Sequence, residues 1–370
     1  MMGNSLVPAP LSRLPWKLLL LVIGITGFGL VVLYSAAGGH LKPWAFSQGL
    51  RFCVFLVMAL VLARVPEGFW KAAAFPLYIG ILVLLILVEM LGFVGGGSQR
   101  WLDLGFIRIQ PSEMMKLAIV LALARYYDLL PVGQIRSWSA MWPPALAIGV
   151  PLVLVMIQPD LGTSLMIAAG GITIMFLAGL PLWIFIGGGL ALAAAVPIAF
   201  SMLHDYQQKR VLIFLDPESD PLGAGYHISQ SKIAIGSGGI FGKGFLNGSQ
   251  SHLDYLPEGH TDFIFATMAE EWGLVGGLAI IIGFIMLVRW GLRVGQRAQT
   301  RFARLTAAGL ATTIFFYVAI NLMMVMGLAP VVGIPLPLFS FGGSAMMTVM
   351  ICIGIMMSIE RSGQRRSSFG

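Results

Sequence analysis

The chain has few charged residues for its size. Asp, Glu, Lys and Arg together make up 11% of the 370 residues, whereas hydrophobic residues make up 58%. A soluble domain contains about 25% charged residues, so this chain lacks the polar groups that would cover a globule in water. The composition excludes a soluble protein and predicts an integral membrane protein.

Acidic residues and cysteines are also scarce. The 16 Asp and Glu residues are outnumbered by 23 Lys and Arg residues, which gives a net charge of +7. Because basic loops are usual on membrane proteins, this charge does not indicate nucleic-acid binding, and we expect no nucleic acid as a partner. The two cysteines, Cys53 and Cys352, lie in apolar runs. This placement predicts buried thiols without a disulfide framework or a metal site.

Long apolar runs make up most of the remaining sequence. A helix of about 20 apolar residues spans the ~30 Å of hydrocarbon in a bilayer. The runs predict an all-α polytopic membrane protein with about ten transmembrane helices, folded as a single integral membrane domain over residues 1–370. They cover approximately residues 15–37, 48–64, 73–94, 112–127, 140–157, 161–180, 182–203, 262–288, 304–328 and 341–359.

The distribution of Lys and Arg predicts the orientation in the membrane. With ten spans both termini lie on one side, and the short loops of that side hold most of the basic residues, including the run from Arg289 to Arg304. By the positive-inside rule we expect both termini to be cytoplasmic. The long loop over residues 204–261, between the seventh and eighth spans, then faces outward. The other short loops of the outward side carry only Lys42, Arg51, Arg100 and Arg108.

Polar chemistry is concentrated in and around this outward loop. The stretch from Leu203 to Glu271 contains four of the five histidines and most of the acidic residues. Asp262 begins the eighth span, and Glu270 and Glu271 lie two helical turns or more deeper. Ionisable residues at membrane depth cost about 2.5–3.5 kcal/mol each on insertion scales, so these carboxylates are candidates for function.

Two further positions combine ionisable residues with a predicted span. Glu113 and Lys116 are three residues apart, so they lie on one helical face near the outer end of the fourth span. They form a neutralising ion pair or part of a catalytic site, and both interpretations can hold together. Asp160 begins the sixth span as Asp262 begins the eighth. Either carboxylate could instead be an ordinary helix N-cap.

The glycine-rich run from Gly236 to Gly244 is reminiscent of a phosphate-binding loop but does not fit its pattern. Gly242-Lys243 is followed by Gly244, whereas that motif needs Ser or Thr there. We expect these glycines to form turns near the membrane surface. Lys232 and Lys243 could still contact a phosphate as point charges.

Five stretches of the chain carry a recognisable pattern. They are QRWLDLGFIRIQPSEMMKLAIV at 99–120, QPDLGTSL at 158–165, HDYQQKRVLIFLDPESDPLGAGYHISQSKIAIGSGG at 204–239, LPEGHTDFIFATMAEEWGLVG at 256–276 and GLAPVVGIPLPLFSFGGSA at 327–345. These stretches resemble one family of membrane proteins, the SEDS family (shape, elongation, division and sporulation proteins). HDYQ, PESDPLGAGYHI and SKIAIGSGG are similar to its elongation branch and differ from its division branch.

The resemblance implies a bacterial inner-membrane peptidoglycan glycosyltransferase, active in cell elongation and rod-shape maintenance. It would polymerise lipid II, the undecaprenyl-pyrophosphate-linked disaccharide pentapeptide, on the periplasmic side. The implied partners are a class B penicillin-binding protein (the transpeptidase of the pair), the undecaprenyl-linked nascent glycan and the elongation machinery. The family's essential aspartate falls on Asp262. Its fourth-span acid and lysine fall on Glu113 and Lys116, and the acid of its QPDLGTS motif falls on Asp160.

The implied reaction needs one base and positive charge. Pyrophosphate is already a good leaving group, so one carboxylate, Asp262, can suffice as the base, whereas a glycosidase needs two. The charge of the leaving group needs cations. The candidates are Lys116, Arg100, Arg210, Lys232, Lys243 or a bound divalent ion such as Mg²⁺ or Mn²⁺, and His260 is a further candidate for substrate binding.

Two other functions stay open. A lipid II flippase or other transporter tends to have inverted repeats and polar groups at the bilayer midplane. Here the polar groups crowd the outer edge and no internal repeat is apparent. A non-catalytic scaffold for a transpeptidase has no need for Glu113, Lys116 and Asp262 at costly membrane positions, although structural pairing could account for them.

Overall fold

The computed structural model describes most of the chain, including at least most of each of the ten predicted spans. Arg210 and much of the predicted outward loop before residue 224 lie outside the described residues. The described residues are 15–91, 93–95, 98–103, 108–135, 137–202, 208, 212–213, 216, 224–252, 255–256 and 258–367.

Helices dominate the described residues. Ten of the helices are 16–34 residues long. Each of the ten predicted spans corresponds to one of these long helices, so the predicted all-α polytopic architecture is confirmed. Two shorter helices follow the seventh span. In chain order the helices are α1 (Trp16–Ala36), α2 (Trp44–Leu62), α3 (Glu67–Leu91), α4 (Pro111–Leu129), α5 (Trp142–Ile157), α6 (Leu161–Leu177), α7 (Leu182–Met202), α8 (Ala224–Ser237), α9 (Ser249–His252), α10 (Ile264–Arg297), α11 (Arg301–Val325) and α12 (Gly343–Ser367).

The ten long helices are not equally apolar. Seven of the described helical segments are long and apolar enough to cross a membrane, and α6 and α7 contain shorter apolar stretches. Helix α4 is the least typical span because it carries Glu113, Lys116, Arg125 and Asp128. Such a helix needs protein rather than lipid around its charged side chains.

Helix α4 lies at the centre of the bundle. Its residues 115–124 are all buried, and it packs against α3, α6 and α11. Helix α10 packs along α11, and α12 packs along α2. The polar residues of α4 therefore face neighbouring helices, which explains why the bundle tolerates them.

Small residues bring some of these helices close together. A Cβ atom placed on Gly171 of α6 would lie 2.4 Å from Cγ1 of Ile148 on α5. One placed on Gly309 of α11 would lie 2.4 Å from Cδ1 of Ile174 on α6. Interfaces between membrane helices are enriched in such residues because packing replaces the hydrophobic effect as the driving force there.

A small antiparallel sheet, which was not predicted from the sequence, joins α3 to α4. Its strands are β1 (Phe93–Gly95), β2 (Ser98–Asp103) and β3 (Arg108–Ile109), in the order β1-β2-β3. Strands of two to six residues are too short to show the alternating pattern from which a strand is predicted.

The two cysteines lie in different surroundings. Cys352 on α12 is buried and Cys53 on α2 is exposed, and both are free thiols. The prediction of a buried thiol is therefore confirmed for Cys352 and wrong for Cys53. An apolar run identifies a membrane helix, but it does not distinguish the helix face that meets lipid from the face that meets other helices.

The predicted outward loop packs back onto the bundle where the structure describes it. Helix α8 lies against α10 and the end of α11, and Ser231 Oγ donates a 2.7 Å hydrogen bond to the main-chain oxygen of Val325. Helix α10 follows the loop and is kinked at Gly273, which has non-helical backbone angles.

Candidate active site

Three segments meet at one end of the bundle: the starts of α6 and α10, and the connection over residues 326–342 between α11 and α12. A Cβ atom placed on Gly162, at the start of α6, would lie 3.0 Å from the Cβ atom of Val332. One placed on Gly333 would lie 3.5 Å from Oδ2 of Asp262, just before α10. Carboxylates predicted at separate span starts are thus gathered around one connection.

Glu113 and Lys116 form a buried ion pair at the start of α4. Lys116 Nζ lies 2.6 Å from Glu113 Oε1, with side-chain exposures of 1% and 8%. Lys116 Nζ also donates a 2.9 Å hydrogen bond to the hydroxyl of Tyr317 on α11, and this hydroxyl donates in turn to Glu113 Oε2. The three side chains form a closed ring, which satisfies charges that would otherwise be costly to bury.

This ring supports the ion-pair interpretation of Glu113 and Lys116. The ammonium group lies 4.3 Å from the centroid of the Tyr317 ring, so it is enclosed by hydrogen-bond acceptors and an aromatic face. Helices α4 and α11 are tied together by these contacts. A direct catalytic or substrate-binding role of either residue stays a prediction.

Asp262 lies in the turn that precedes α10. The N-cap of α10 is Phe263, one residue after Asp262, so the interpretation of Asp262 as a helix cap stays a prediction. Asn321 on α11 donates a 2.8 Å hydrogen bond to the main-chain oxygen of Asp262 and a 2.7 Å bond to that of Ile334. The residue is partly exposed. Asp262 is thus held through its backbone and retains an accessible side.

Helix α11 links the buried ring to Asp262. Tyr317 and Asn321 are four residues apart and both fully buried, so they lie on one face, about one 5.4 Å turn from each other. Tyr317 contacts Glu113 and Asn321 contacts the Asp262 turn. The two predicted polar sites are therefore neighbours along a single helix face.

Asp160 is the N-cap of α6, as one of its two interpretations predicted. Its Oδ1 accepts a 3.1 Å hydrogen bond from the backbone N–H of Thr163. Its Oδ2 lies 3.4 Å from Nε2 of Gln110, the N-cap of α4, and 3.8 Å from Nη1 of Arg100 on β2. Arg100 also donates to the main-chain oxygens of the two residues before Asp160. Arg100 and Asp160 therefore fasten β2 and the start of α4 to α6.

His260 lies in the same turn as Asp262 and stacks on Trp44, with 4.1 Å between ring centroids and 10° between planes. The backbone N–H of Phe341 donates a 2.9 Å hydrogen bond to the main-chain oxygen of His260. Burial lowers the pKa of His260 from its usual value, and the nearby Glu258 carboxylate raises it by a smaller amount. Burial thus disfavours the charged imidazole, and the ring offers a stacking surface to Trp44.

The lysines predicted to meet a phosphate lie in two different environments. Lys243 Nζ lies 2.6 Å from Oε1 of the fully buried Glu270, so its charge is already paired within the protein. Lys232 on α8 is exposed. Its Cε lies 2.3 Å from where a Cβ atom on Gly327 would be, which places Lys232 beside the C-terminal end of α11.

No three His, Cys, Asp or Glu side chains are close enough to hold a metal ion in the part of the chain that the structure describes. The divalent cation considered from the sequence stays a prediction.

Tyr317 and Asn321 were not among the residues predicted from the sequence. Both lie in the predicted span 304–328, four residues apart. This spacing of hydrogen-bonding side chains on one face of an apolar helix is the signal that could have identified them. Glu270 was noticed as a costly charge, but nothing in the sequence identified Lys243 as its partner.

Residues 16–365 match the FtsW/RodA/SpoVE family, described as cell cycle proteins. The chain belongs to this family. The resemblance to the SEDS proteins that the sequence motifs indicated is thereby confirmed. As a member of the FtsW/RodA/SpoVE family with many apolar helices, the chain is a multi-pass membrane protein.

Individual relatives of this family member support the elongation branch, RodA. The peptidoglycan glycosyltransferase MrdB of Escherichia coli K12 is 47% identical over 347 residues, which cover 93% of this chain and 92% of that protein. The crystal structure of the rod shape determining protein RodA of Thermus thermophilus has a TM-score of 0.71 at 29% identity, covering 94% of this chain and 97% of that one. A chain from a peptidoglycan synthase complex that coordinates polymerization and crosslinking has a TM-score of 0.82 at 33% identity, covering 95% of this chain and 98% of that one.

Proposed function

We propose that this member of the FtsW/RodA/SpoVE family is a peptidoglycan glycosyltransferase that polymerises lipid II into glycan strands during cell elongation. The E. coli relative MrdB is a peptidoglycan glycosyltransferase and is 47% identical over 93% of the chain. The chain's similarity to part of a peptidoglycan synthase complex, at a TM-score of 0.82, supports the same activity.

One structural observation carries the proposal: Asp262 lies partly exposed at the polar end of the bundle, in a turn whose main chain is fixed by Asn321. Glu113 and Asp160 are buried, with 6% and 5% exposure, so Asp262 is the most accessible of the three carboxylates. Glycine at position 333 leaves room beside Asp262 Oδ2, where a Cβ atom would lie 3.5 Å away. This arrangement suits a general base.

In the proposed reaction, Asp262 takes the proton of an acceptor sugar hydroxyl as that oxygen attacks the anomeric carbon of the donor. The bond from the anomeric carbon to the pyrophosphate breaks, and the lipid pyrophosphate leaves with the electron pair. Attack from the opposite side inverts the configuration at the anomeric carbon. A single base is enough because the leaving group needs no proton.

The negative charge on the leaving pyrophosphate needs nearby cations. Lys116, Lys243 and Arg100 each lie within 4 Å of a carboxylate of this protein. We therefore assign this role first to Lys232, which is exposed on α8, and to Arg210, as predicted from the sequence. A divalent ion would supply the same charge.

The same proposal includes the cellular setting. We place the chain in the bacterial inner membrane as one integral membrane domain, with cytoplasmic termini and with the loop 204–261 and Asp262 facing the periplasm. The basic run Arg289–Arg304 supports this orientation by the positive-inside rule. A class B penicillin-binding protein is the proposed partner, because the similar chain belongs to a complex that coordinates polymerization and crosslinking.

The base assignment is tested by polymerisation of lipid II with the purified chain bound to its transpeptidase. Asp262→Asn keeps the shape of the side chain and removes the base, so we expect the rate to fall about 10²–10⁴-fold. Asp128→Asn is the matched control, because it makes the same change at the opposite end of α4, where Asp128 pairs with Arg125 at 2.8 Å. This variant should polymerise at close to the wild-type rate.

Normal polymerisation by an Asp262→Asn protein that folds and binds its transpeptidase would contradict the assignment. The base would then have to be another carboxylate of the same end, and Glu113→Gln would be the next variant to measure.

A further inference from the structure

Helix α10 is broken near its start. Gly273 has φ 62° and ψ −158°, backbone angles that are strained for any residue with a side chain. In an unbroken helix the N–H groups of residues 274–275 would donate to the carbonyl oxygens of residues 270–271. The break leaves these four groups in need of other partners, which lipid cannot provide.

The loop over residues 238–244, here called the splice loop, supplies all four partners. It accepts from both N–H groups after the break and donates to both carbonyl oxygens before it. Two helical hydrogen bonds are thereby replaced by four. The bonds are Leu274 N to Gly239 O (3.0 Å), Val275 N to Ile240 O (3.2 Å), Lys243 N to Glu270 O (2.9 Å) and Gly244 N to Glu271 O (3.0 Å).

The glycines of the splice loop are required by its close approach to α10. A Cβ atom on Gly238 would lie 2.0 Å from the main-chain oxygen of Ala269, and one on Gly242 would lie 2.1 Å from that of Glu271. Backbone atoms cannot move aside as a flexible side chain can. The glycine-rich run therefore serves to insert a backbone segment into a helix break.

Glu270 fastens the splice loop to α10 through its side chain. Its Oε1 lies 2.6 Å from Lys243 Nζ and 3.0 Å from Ser249 Oγ, and both carboxylate oxygens lie 3.1 Å from the N–H of Gln250. The Glu270 side chain is fully buried, where charge-assisted hydrogen bonds are strong. Residues 243–250 are thus clamped onto the helix just before its break.

The clamped part of α10 directly follows the turn that contains Asp262. The segment over residues 264–272, here called the half-helix, is buried from residue 264 to residue 271. A helix this short is not stable by itself, so it depends on contacts at both ends. Asn321 holds the end next to Asp262, and the splice loop holds the other end, about 12 Å away along the axis at 1.5 Å per residue.

We propose that Glu270 and Lys243 are positioning residues for Asp262 and act through the half-helix. This inference rests on the proposed function. A general base has to lie within hydrogen-bonding reach of its proton, and a displacement of about 1 Å can cost about 10²-fold in rate. Releasing the clamp lets the half-helix shift and slows the chemical step more than it weakens substrate binding.

Lys243→Met tests the proposal with a control of the same kind. The Lys243 side chain is 30% exposed, and Glu270 keeps its hydrogen bonds from Ser249 and Gln250 when the lysine is replaced. Lys71→Met is the control, because Lys71 is 24% exposed and lies 3.3 Å from Glu67 and 3.6 Å from Asp128 at the other end of the bundle. Both variants remove a partly exposed lysine from its ion pair, but only the pair of Lys243 adjoins the half-helix.

Two properties should be measured in the complex with the transpeptidase: the kinetics of lipid II polymerisation and the amide hydrogen exchange of residues 264–272. For Lys243→Met we expect kcat to fall about 10–100-fold with KM nearly unchanged, and exchange of the half-helix to become faster. Lys243→Arg keeps the charge and should restore both properties. Lys71→Met should alter neither.

An equal loss of kcat in Lys71→Met would overturn the proposal, because the effect would then be general destabilisation. Unchanged exchange of residues 264–272 in Lys243→Met would overturn it as well. If the wild-type complex makes no glycan, the proposed function fails and the positioning role fails with it. The exchange measurement still decides separately whether the clamp holds the half-helix.

Discussion

At the residue scale, the buried charges of the described bundle occur in partnered groups. Glu113 and Lys116 share Tyr317, and Glu270 is enclosed by Lys243, Ser249 and a backbone N–H group. Burying a charge is costly, and removing one partner of a buried pair costs more than the pair contributes. The stability of this protein should therefore depend on the polar partners as well as on the charged residues.

Tyr317→Phe tests this dependence in the buried ring. The change removes one hydroxyl, so Lys116 and Glu113 each lose a hydrogen-bond partner while the aromatic ring stays in place. Hydrogen bonds to charged groups contribute about 1.5–3 kcal/mol each, and we expect a loss of stability in this range. The measurement is resistance to thermal unfolding in detergent, followed by the fraction of protein that stays monodisperse.

Tyr127→Phe is the matched control for Tyr317→Phe. Tyr127 lies on the same helix as Glu113 and is fully buried, but its hydroxyl donates only to the main-chain oxygen of Ala140, at 2.8 Å. A bond between neutral groups contributes about 0.5–1.5 kcal/mol. If Tyr127→Phe lost as much stability as Tyr317→Phe, or more, the hydrogen-bonded ring of Glu113, Lys116 and Tyr317 would not have the importance proposed for it.

At the element scale, glycines determine where a helix can approach a neighbouring backbone. Gly29 and Gly24 both lie on α1, but in different surroundings. A Cβ atom on Gly29 would lie 2.8 Å from the main-chain oxygen of Phe339 and 2.9 Å from its Cα atom, whereas no described atom lies within 4 Å of one on Gly24. The connection before α12 can pack against α1 only because residue 29 has no side chain.

Gly29→Ala and Gly24→Ala form a pair that tests this packing. The first variant forces the α1 backbone away from the connection 326–342, and overpacking of this kind costs about 1–3 kcal/mol. The second adds a methyl group on an exposed helix face, where Ala favours the helix by up to about 1 kcal/mol over Gly. Thermal unfolding in detergent should show a loss for Gly29→Ala only. Equal behaviour of the two variants would contradict the close contact.

The ten long helices could be predicted because each is an apolar run of membrane length, a local property of the sequence. The side that each run presents to lipid could not be predicted, since lipid and neighbouring helices are equally apolar. Cys53, for example, was predicted to be buried but lies on an exposed face of α2. The strands β1–β3 are too short to leave a pattern, and the break in α10 was missed because Gly273 lies in an apolar run like other glycines of the chain.

The residues of the candidate site also fall into those that the sequence could predict and those that it could not. The pairing of Glu113 with Lys116 could be predicted because it depends on a local spacing of three residues. Asp262 was identified through the resemblance to the SEDS proteins. Their partners lie on α11, far away in the sequence: Tyr317 is 204 positions from Glu113, and Asn321 is 59 positions from Asp262. A contact of this kind is set by helix packing, and no local pattern in a single sequence specifies it.

At the scale of the whole molecule, the polar groups of the described bundle lie towards its two ends. Asp262, Asp160 and the start of α4 share one end. The other end has a network in which Asp128 lies 2.8 Å from Arg125 and 3.6 Å from Lys71. Transporters tend to have their substrate sites near the midplane, between inverted repeats. The distribution of charge therefore favours an enzyme with its site at one face.

The most direct test of the central claim is to incubate lipid II in detergent micelles with the purified wild-type chain bound to its transpeptidase. A micelle has no compartments, so transport alone yields no product there. The proposed function predicts glycan strands from the complex and none from the transpeptidase alone. No strands from an intact complex, together with movement of lipid II across vesicles by the same protein, would contradict the proposed function and identify a transporter.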